Sequence, residues 1–98
     1  MDKDAVIATL REHRADLERM GVIHAALFGS LARGEAGPDS DIDIAVDLLE
    51  GTAPDMWSYA GLKRQIGELF PGPVDVVDRA SLKPRMLAEV TRDAVYAF

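Results

Sequence analysis

The sequence predicts one α/β domain over residues 1–98, with a mixed sheet of three to four strands packed against helices. Three observations lead there. Long segments with helical apolar spacing alternate with short runs rich in Val, Ile and Ala. Those runs are apolar on at least one face, as sheet strands are. A chain of 98 residues has material for one modest core and no more.

Val6, Leu10, His13, Leu17 and Met20 recur at helical spacing, so a helix is expected from about Asp4 to Met20. Asp2 or Asp4 can cap it, and Gly21 ends it. His13 reads as a boundary residue on the packed side. Val22 to Phe28 reads as an interior strand, apolar almost throughout. His24 lies within it, with no second histidine at ligand spacing. A loop containing Gly34, Gly37 and Pro38 follows, with Asp39 and Ser40 as turn formers. The second strand is expected over Asp41 to Asp47, and Leu48-Leu49-Glu50-Gly51 leaves the sheet. Thr52-Ala53-Pro54-Asp55 reads as a capping box that opens a helix over about 53–70. Tyr59, Leu62, Ile66 and Leu69 form its buried stripe, and Pro71-Gly72-Pro73 stops it. Val74-Asp75-Val76-Val77 is a short β-branched strand. Ser81 is expected to cap a last helix over about 82–92, with Pro84 in its first turn. Ala94 to Phe98 reads as a short edge strand, with a continued helix as the alternative.

One stretch, Gly29 to Val46, concentrates the polar chemistry. A strand has a side-chain period of two, so Asp41 and Asp43 point to one face and Ile42, Ile44 and Val46 to the other. Neighbouring carboxylates repel, and stability alone would not select them. A divalent cation turns that repulsion into a binding site, and Mg²⁺ favours a few carboxylate oxygens plus substrate phosphates. At the other end of the stretch, Gly29 permits a turn and a close approach. Ser30 is placed to cap a short helix through Glu35, ended by Gly34 or Gly37. Free N–H groups and a hydroxyl there suit a phosphate. The two ends together describe a nucleotide–metal site. Arg33 reads equally well as a phosphate contact or as a plain surface arginine.

Gly29-Ser30, ten further residues, then Asp41-Ile42-Asp43 resembles the signature of the polymerase-beta-like nucleotidyltransferase superfamily. The wording Gly-Ser-x-Ala-Arg-Gly…Ser-Asp-x-Asp is most similar to the minimal nucleotidyltransferases, the MntA-type antitoxins encoded beside HEPN-domain toxins. The resemblance covers almost the whole chain. It implies Asp41, Asp43 and a third acid on a following strand as catalytic metal ligands. Asp75, in its Val-Asp-Val setting, is the best match, and Asp78 fits a turn better. Asp47 shares the parity of Asp41 and Asp43 but lies farther along the strand, at ~3.3 Å per residue. The resemblance further implies two Mg²⁺ ions, with Mn²⁺ as a substitute, and ATP as substrate. Gly29, Ser30, Arg33 and Ser40 would contact the nucleotide, the Ser40 hydroxyl orienting the first metal aspartate. The implied reaction is transfer of AMP to a tyrosine of a HEPN toxin, which silences it. Larger relatives add a domain that grips base or acceptor; no residues remain for one here, so the acceptor is expected to be a small molecule held loosely or to be presented by a second protein, and the resemblance favours the second.

Composition narrows the rest. The net charge is −6, against non-specific nucleic-acid binding, which needs a basic face. There is no cysteine, hence no disulfide and no cysteine-rich metal site, compatible with the cytoplasm. No apolar run approaches a membrane span, and the start lacks the apolar core of a signal peptide. Two other readings stand beside the enzyme. One is a non-catalytic antitoxin that masks a HEPN partner by contact. The other is nucleotidyl transfer to a small hydroxylated molecule. The base preference and homo-oligomerisation stay open.

Overall fold

The computed structural model describes residues 1–37, 40–49 and 56–98. Pro38, Asp39 and the capping segment Thr52 to Asp55 lie outside the described residues. The order of elements is α1 (Lys3–Glu12), α2 (Arg14–Arg19), β1 (Val22–Phe28), α3 (Gly29–Ala32), β2 (Ile42–Leu48), α4 (Met56–Glu68), β3 (Val74–Asp78), a 3₁₀ turn (Arg79–Ser81), α5 (Pro84–Asp93) and β4 (Val95–Tyr96).

Asp2 caps α1, its carboxylate accepting from Ala5 N–H at 2.8 Å. The expected single helix over 4–20 is broken at His13. The His13 ring Nδ1 sits 2.9 Å from the Thr9 carbonyl oxygen. Its backbone N–H is shared between Thr9 and Leu10 carbonyls at 3.3 and 3.2 Å. A side chain that engages the helical ladder in this way kinks it. Gly21, at φ 93, ends α2.

The sheet order is β3-β2-β1-β4. β1 runs antiparallel to β2 and β4, and β2 runs parallel to β3. The sheet is therefore mixed, with β1 and β2 interior. A bulge in β1 between Val22 and His24 turns Ile23 outward. His24 is exposed beside it, its ring meeting Tyr96 edge-on at 5.9 Å.

One sheet face carries Ala25, Leu27, Ile42, Ile44, Val46 and Val76, packed under α1, α2 and α4. Leu10, Leu27, Ile44 and Ile66 are fully enclosed there. The expected stripe points inward, with Leu62 and Ile66 of α4 buried and Tyr59 and Leu69 partly so, and Phe70 just past the helix is buried with them. On the other face Phe28, Ala45 and Val77 leave a small apolar patch, which Val90 of α5 and Leu82 cover. The strand parity predicts helices only on the face opposite the acids; they occupy both faces, because that patch needs a roof. Ser81 does not cap α5. It is drawn into the 3₁₀ turn by Asp78, whose carboxylate accepts from Ala80 N–H at 3.1 Å and from the Ser81 hydroxyl at 3.3 Å. Pro84 opens α5 as expected, with Lys83 in the cap position. The edge strand reading of the C-terminal segment holds, and Ala97 N–H donates to Ala25 O at 2.8 Å.

Ile44 sits at the centre of the layer that fixes β2. Ile44→Ala is expected to cost about 2–5 kcal/mol and Ile44→Val about 0.5–1.5 kcal/mol. Urea unfolding followed by circular dichroism measures both; equal stability of all three proteins would contradict this account of the core.

Candidate active site

Three chain segments meet at one end of the sheet. β1 ends there at Phe28, whose register partner is Asp43 near the start of β2. β3 starts there too, and its Asp75 pairs in register with Asp43. Residues in register on neighbouring strands point to the same face, so the two carboxylates stand side by side. Asp41, just ahead of β2 and exposed, has the same parity. The structure therefore brings Asp41, Asp43 and Asp75 together on the face opposite the main core.

The electrostatics of Asp43 record that crowding. Partial burial pushes its pKa above the usual carboxylate range, and the charges of Asp75 and Asp41 push it further; Arg33 pulls the other way. Arg33 is thus the positive charge that Asp43 feels.

Gly29 follows β1 directly, at φ +78, a backbone region that favours glycine. A Cβ placed there would overlap the Asp43 carboxylate and lie 3.1 Å from its Cγ. Only glycine lets the chain turn this close to the acid. The turn continues as α3, whose first hydrogen bond runs from Arg33 N–H to Gly29 O at 3.1 Å. The helix therefore starts at Gly29, with Phe28 in the cap position and no side-chain cap. Ser30 is not the N-cap expected from its residue type; it lies inside the first turn. Gly34, at φ +75, ends the helix. Gly34 N–H bonds Leu31 O at 3.2 Å and Glu35 N–H bonds Ser30 O at 2.9 Å, the paired closure of a Schellman motif.

Other candidates fall outside this cluster. Ser40 oxygen accepts from Gly37 N–H at 2.9 Å, closing the loop before Asp41. Asp47 is engaged at 2.8 Å by Arg79 Nε, and Arg79 also donates to the Tyr96 hydroxyl at 2.6 Å. Asp78 caps the 3₁₀ turn. A cavity of about 700 Å³ lies close by, lined by Leu31, Gly37, Ser40, Ile42 and Pro73 among others. Its lining does not include the three acids.

Among the described residues no group of three or more His, Cys, Asp or Glu forms a ready-made metal cage. The donor set nevertheless fits a hard divalent ion that keeps water and substrate oxygens, as Mg²⁺ does with one or two carboxylates. Neighbouring aspartates with one carboxyl hard to ionise are what such an ion would relieve.

Sequence reasoning overlooked Asp93. Its carboxylate accepts from Arg33 Nη1 at 2.7 Å and from Arg92 Nε at 3.2 Å, and only 8% of the side chain is exposed. These two partners, Arg92 foremost, hold it below the usual carboxylate range. No local pattern pairs it with a residue 60 positions away.

A glycine turn set against strand-borne aspartates, on a small mixed sheet, defines the class: a nucleotidyl-transfer domain. The chain belongs to the nucleotidyltransferase domain family, whose model matches residues 10–97. It is a nucleotidyltransferase. It is 37% identical over 94 residues to the protein adenylyltransferase MntA of Thermococcus cleftensis, covering 95% of this chain and 93% of that one. It resembles a solved structure described as a minimal nucleotidyltransferase, at 38% identity and TM-score 0.76, covering 97% of this chain and 95% of that one. It shares its fold with a chain of a Shewanella oneidensis complex, described as a tri-AMPylated HEPN toxin with its MNT antitoxin. That likeness has TM-score 0.61 at 21% identity, over 91% of this chain and 70% of the other. Among the described residues no helix is long and apolar enough to cross a membrane.

Asp43 carries a folded-state pKa above its unfolded value. Its ionisation therefore opposes folding, and the penalty is complete above the raised pKa. It fades as pH falls and is gone below the ordinary carboxylate value. In metal-free buffer at pH 7, Asp43→Asn is expected to raise Tm by a few degrees, and the gain should vanish near pH 3. A thermal melt series over pH reads this; a mutant less stable than wild type at pH 7 would contradict the repulsion.

Proposed function

We propose that this protein transfers AMP from ATP to a tyrosine hydroxyl of a HEPN-domain toxin and acts as its antitoxin in the cytoplasm, where ATP is available. The observation that carries the reading is the register pairing of Asp43 with Asp75 beside Asp41, against the Gly29 turn. The protein-adenylyltransferase relative and the AMPylated toxin complex support the donor and the acceptor.

Asp41, Asp43 and Asp75 would hold two Mg²⁺ ions, with Mn²⁺ able to replace them. Such ions, when bound, would polarise the phosphoryl oxygens and neutralise developing charge. The turn at Gly29-Ser30 brings backbone N–H groups to the phosphate end, with the Ser30 hydroxyl. Arg33 adds a fixed positive charge near Asp43, and Ser40 holds the loop that leads to Asp41. In the reaction the acceptor oxygen bonds the α-phosphorus as its bond to pyrophosphate breaks. The proton leaves the acceptor hydroxyl, and Asp75 would help remove it, either directly or as a ligand of the second metal.

The test is incubation with labelled ATP, Mg²⁺ and the HEPN partner, with the label located by mass spectrometry. Label is expected on a partner tyrosine. Asp41→Asn with Asp43→Asn should leave a folded protein whose transfer falls to background and which no longer protects cells from the toxin. A folded double variant that still protects cells would favour masking by contact over catalysis. Separately, calorimetry with EDTA in place of Mg²⁺ should show ATP binding falling below detection; equal affinity in both buffers would remove the metal from the account.

A further inference from the structure

We infer that Asp93, at the end of α5, is a positioning residue that fixes the Arg33 guanidinium beside the carboxylate cluster for the nucleotide's phosphates. This rests on the nucleotide site proposed above. Arg33 is forked between two acceptors: Nε donates to Glu35 Oε2 at 2.9 Å and Nη1 to Asp93 Oδ2 at 2.7 Å. The two anchors differ. Glu35 is a solvated surface carboxylate, 65% exposed, whereas that of Asp93 is largely enclosed. The arginine end of both bonds is open to solvent, but the Glu35 carboxylate can leave for water whereas the Asp93 carboxylate is screened from it. Asp93 is therefore the anchor that sets where Arg33 points.

A guanidinium has five N–H donors in a rigid fork. The two bonds leave the others unengaged by these carboxylates, so the pinned arginine can still take phosphate oxygens. Pinning removes rotamer freedom before the nucleotide arrives, which lowers the entropic cost of the contact. The anchor also comes from a different element. Val90 of the same helix packs on Phe28 and Ala45, neighbours of Gly29 and Asp43. The roof over the acid face and the arginine clamp are thus one rigid piece. A purely structural role for the pair would be a pin between α3 and α5, felt in Tm and not in nucleotide affinity.

The test is a double-mutant cycle on the full chain, with AMP-PNP and Mg²⁺ binding measured by calorimetry and ATP kinetics with the partner. Asp93→Asn removes the charge at constant size. It should weaken nucleotide binding and raise KM for ATP about tenfold, as for a lost charge-assisted bond, with kcat changed far less. In an Arg33→Ala background the same change should have no further effect. Asp93→Glu, which keeps the charge, should recover part of the affinity. Where D93N does not fold, Asp93→Ser supplies the same readout. Unchanged nucleotide affinity in a folded Asp93 variant overturns the inference. So does tighter binding, which would mean that Asp93 competes with phosphate for Arg33. So does an effect that persists without Arg33. Wild type that binds no AMP-PNP with Mg²⁺ overturns the nucleotide site itself and this inference with it.

Discussion

Two like charges in register on adjacent parallel strands are the constraint around which this small domain is arranged. Asp43 and Asp75 cannot move apart, because the residues on either side of them are committed to the opposite face. Ile42 and Ile44 flank Asp43, Val76 follows Asp75, and all three are buried. A slip of one residue in either strand would separate the carboxylates, but it would also turn an apolar set out of the core. Hydrophobic burial therefore holds an electrostatically unfavourable pair in place. Partial burial raises the pKa of Asp43 in the free protein, and the neighbouring Asp75 charge adds to it.

The second constraint is steric. The space beside Asp43 is filled by chain and not by side chain, because Gly29 has none to offer. This is why β1 can end against the acid and turn immediately into α3. The antiparallel pairing of β1 with β2 carries the glycine turn to the same end of the sheet as the N-terminal ends of β2 and β3. Backbone N–H groups and carboxylates, separated in sequence by a loop, become neighbours through topology alone. A substrate with phosphates needs both, and no single local segment could supply them at that spacing.

Much of this was legible in the sequence because it obeys local rules. Strand parity placed Asp41 and Asp43 opposite Ile42, Ile44 and Val46. Asp75 was singled out by the family resemblance of its Val-Asp-Val setting. Helical spacing found α1, α2 and α4, and Pro84 marked the opening of α5. What failed was set by interactions that no period encodes. His13 fits the apolar repeat, yet its ring engages the Thr9 carbonyl and breaks the helix. Ser30 and Ser81 have the residue type of a cap, but each start is decided elsewhere: by the left-handed backbone of Gly29, and by the Asp78 carboxylate. The helix α5 was legible but its place on the acid face was not, because the patch formed by Phe28, Ala45 and Val77 exists only once three strands are side by side.

Asp93 shows the same limit in the candidate site. In sequence it is one charge in an Arg-Asp pair at a helix end, where solvated side chains are common. Its significance comes from Val90, three residues earlier, which ties α5 down beside the carboxylates. Once that helix is seated, Asp93 reaches Arg33, the cation that bears on Asp43 among the described residues. A net charge of −6 makes that cation the scarcer resource. Acids alone repel a triphosphate, and a loose surface arginine would be drawn to any of the surrounding carboxylates. An arginine whose position is fixed by an enclosed partner offsets local repulsion at a defined point. The roof of the acid face, which first looks like a packing detail, is thus also what sets the polarity of the site beneath it.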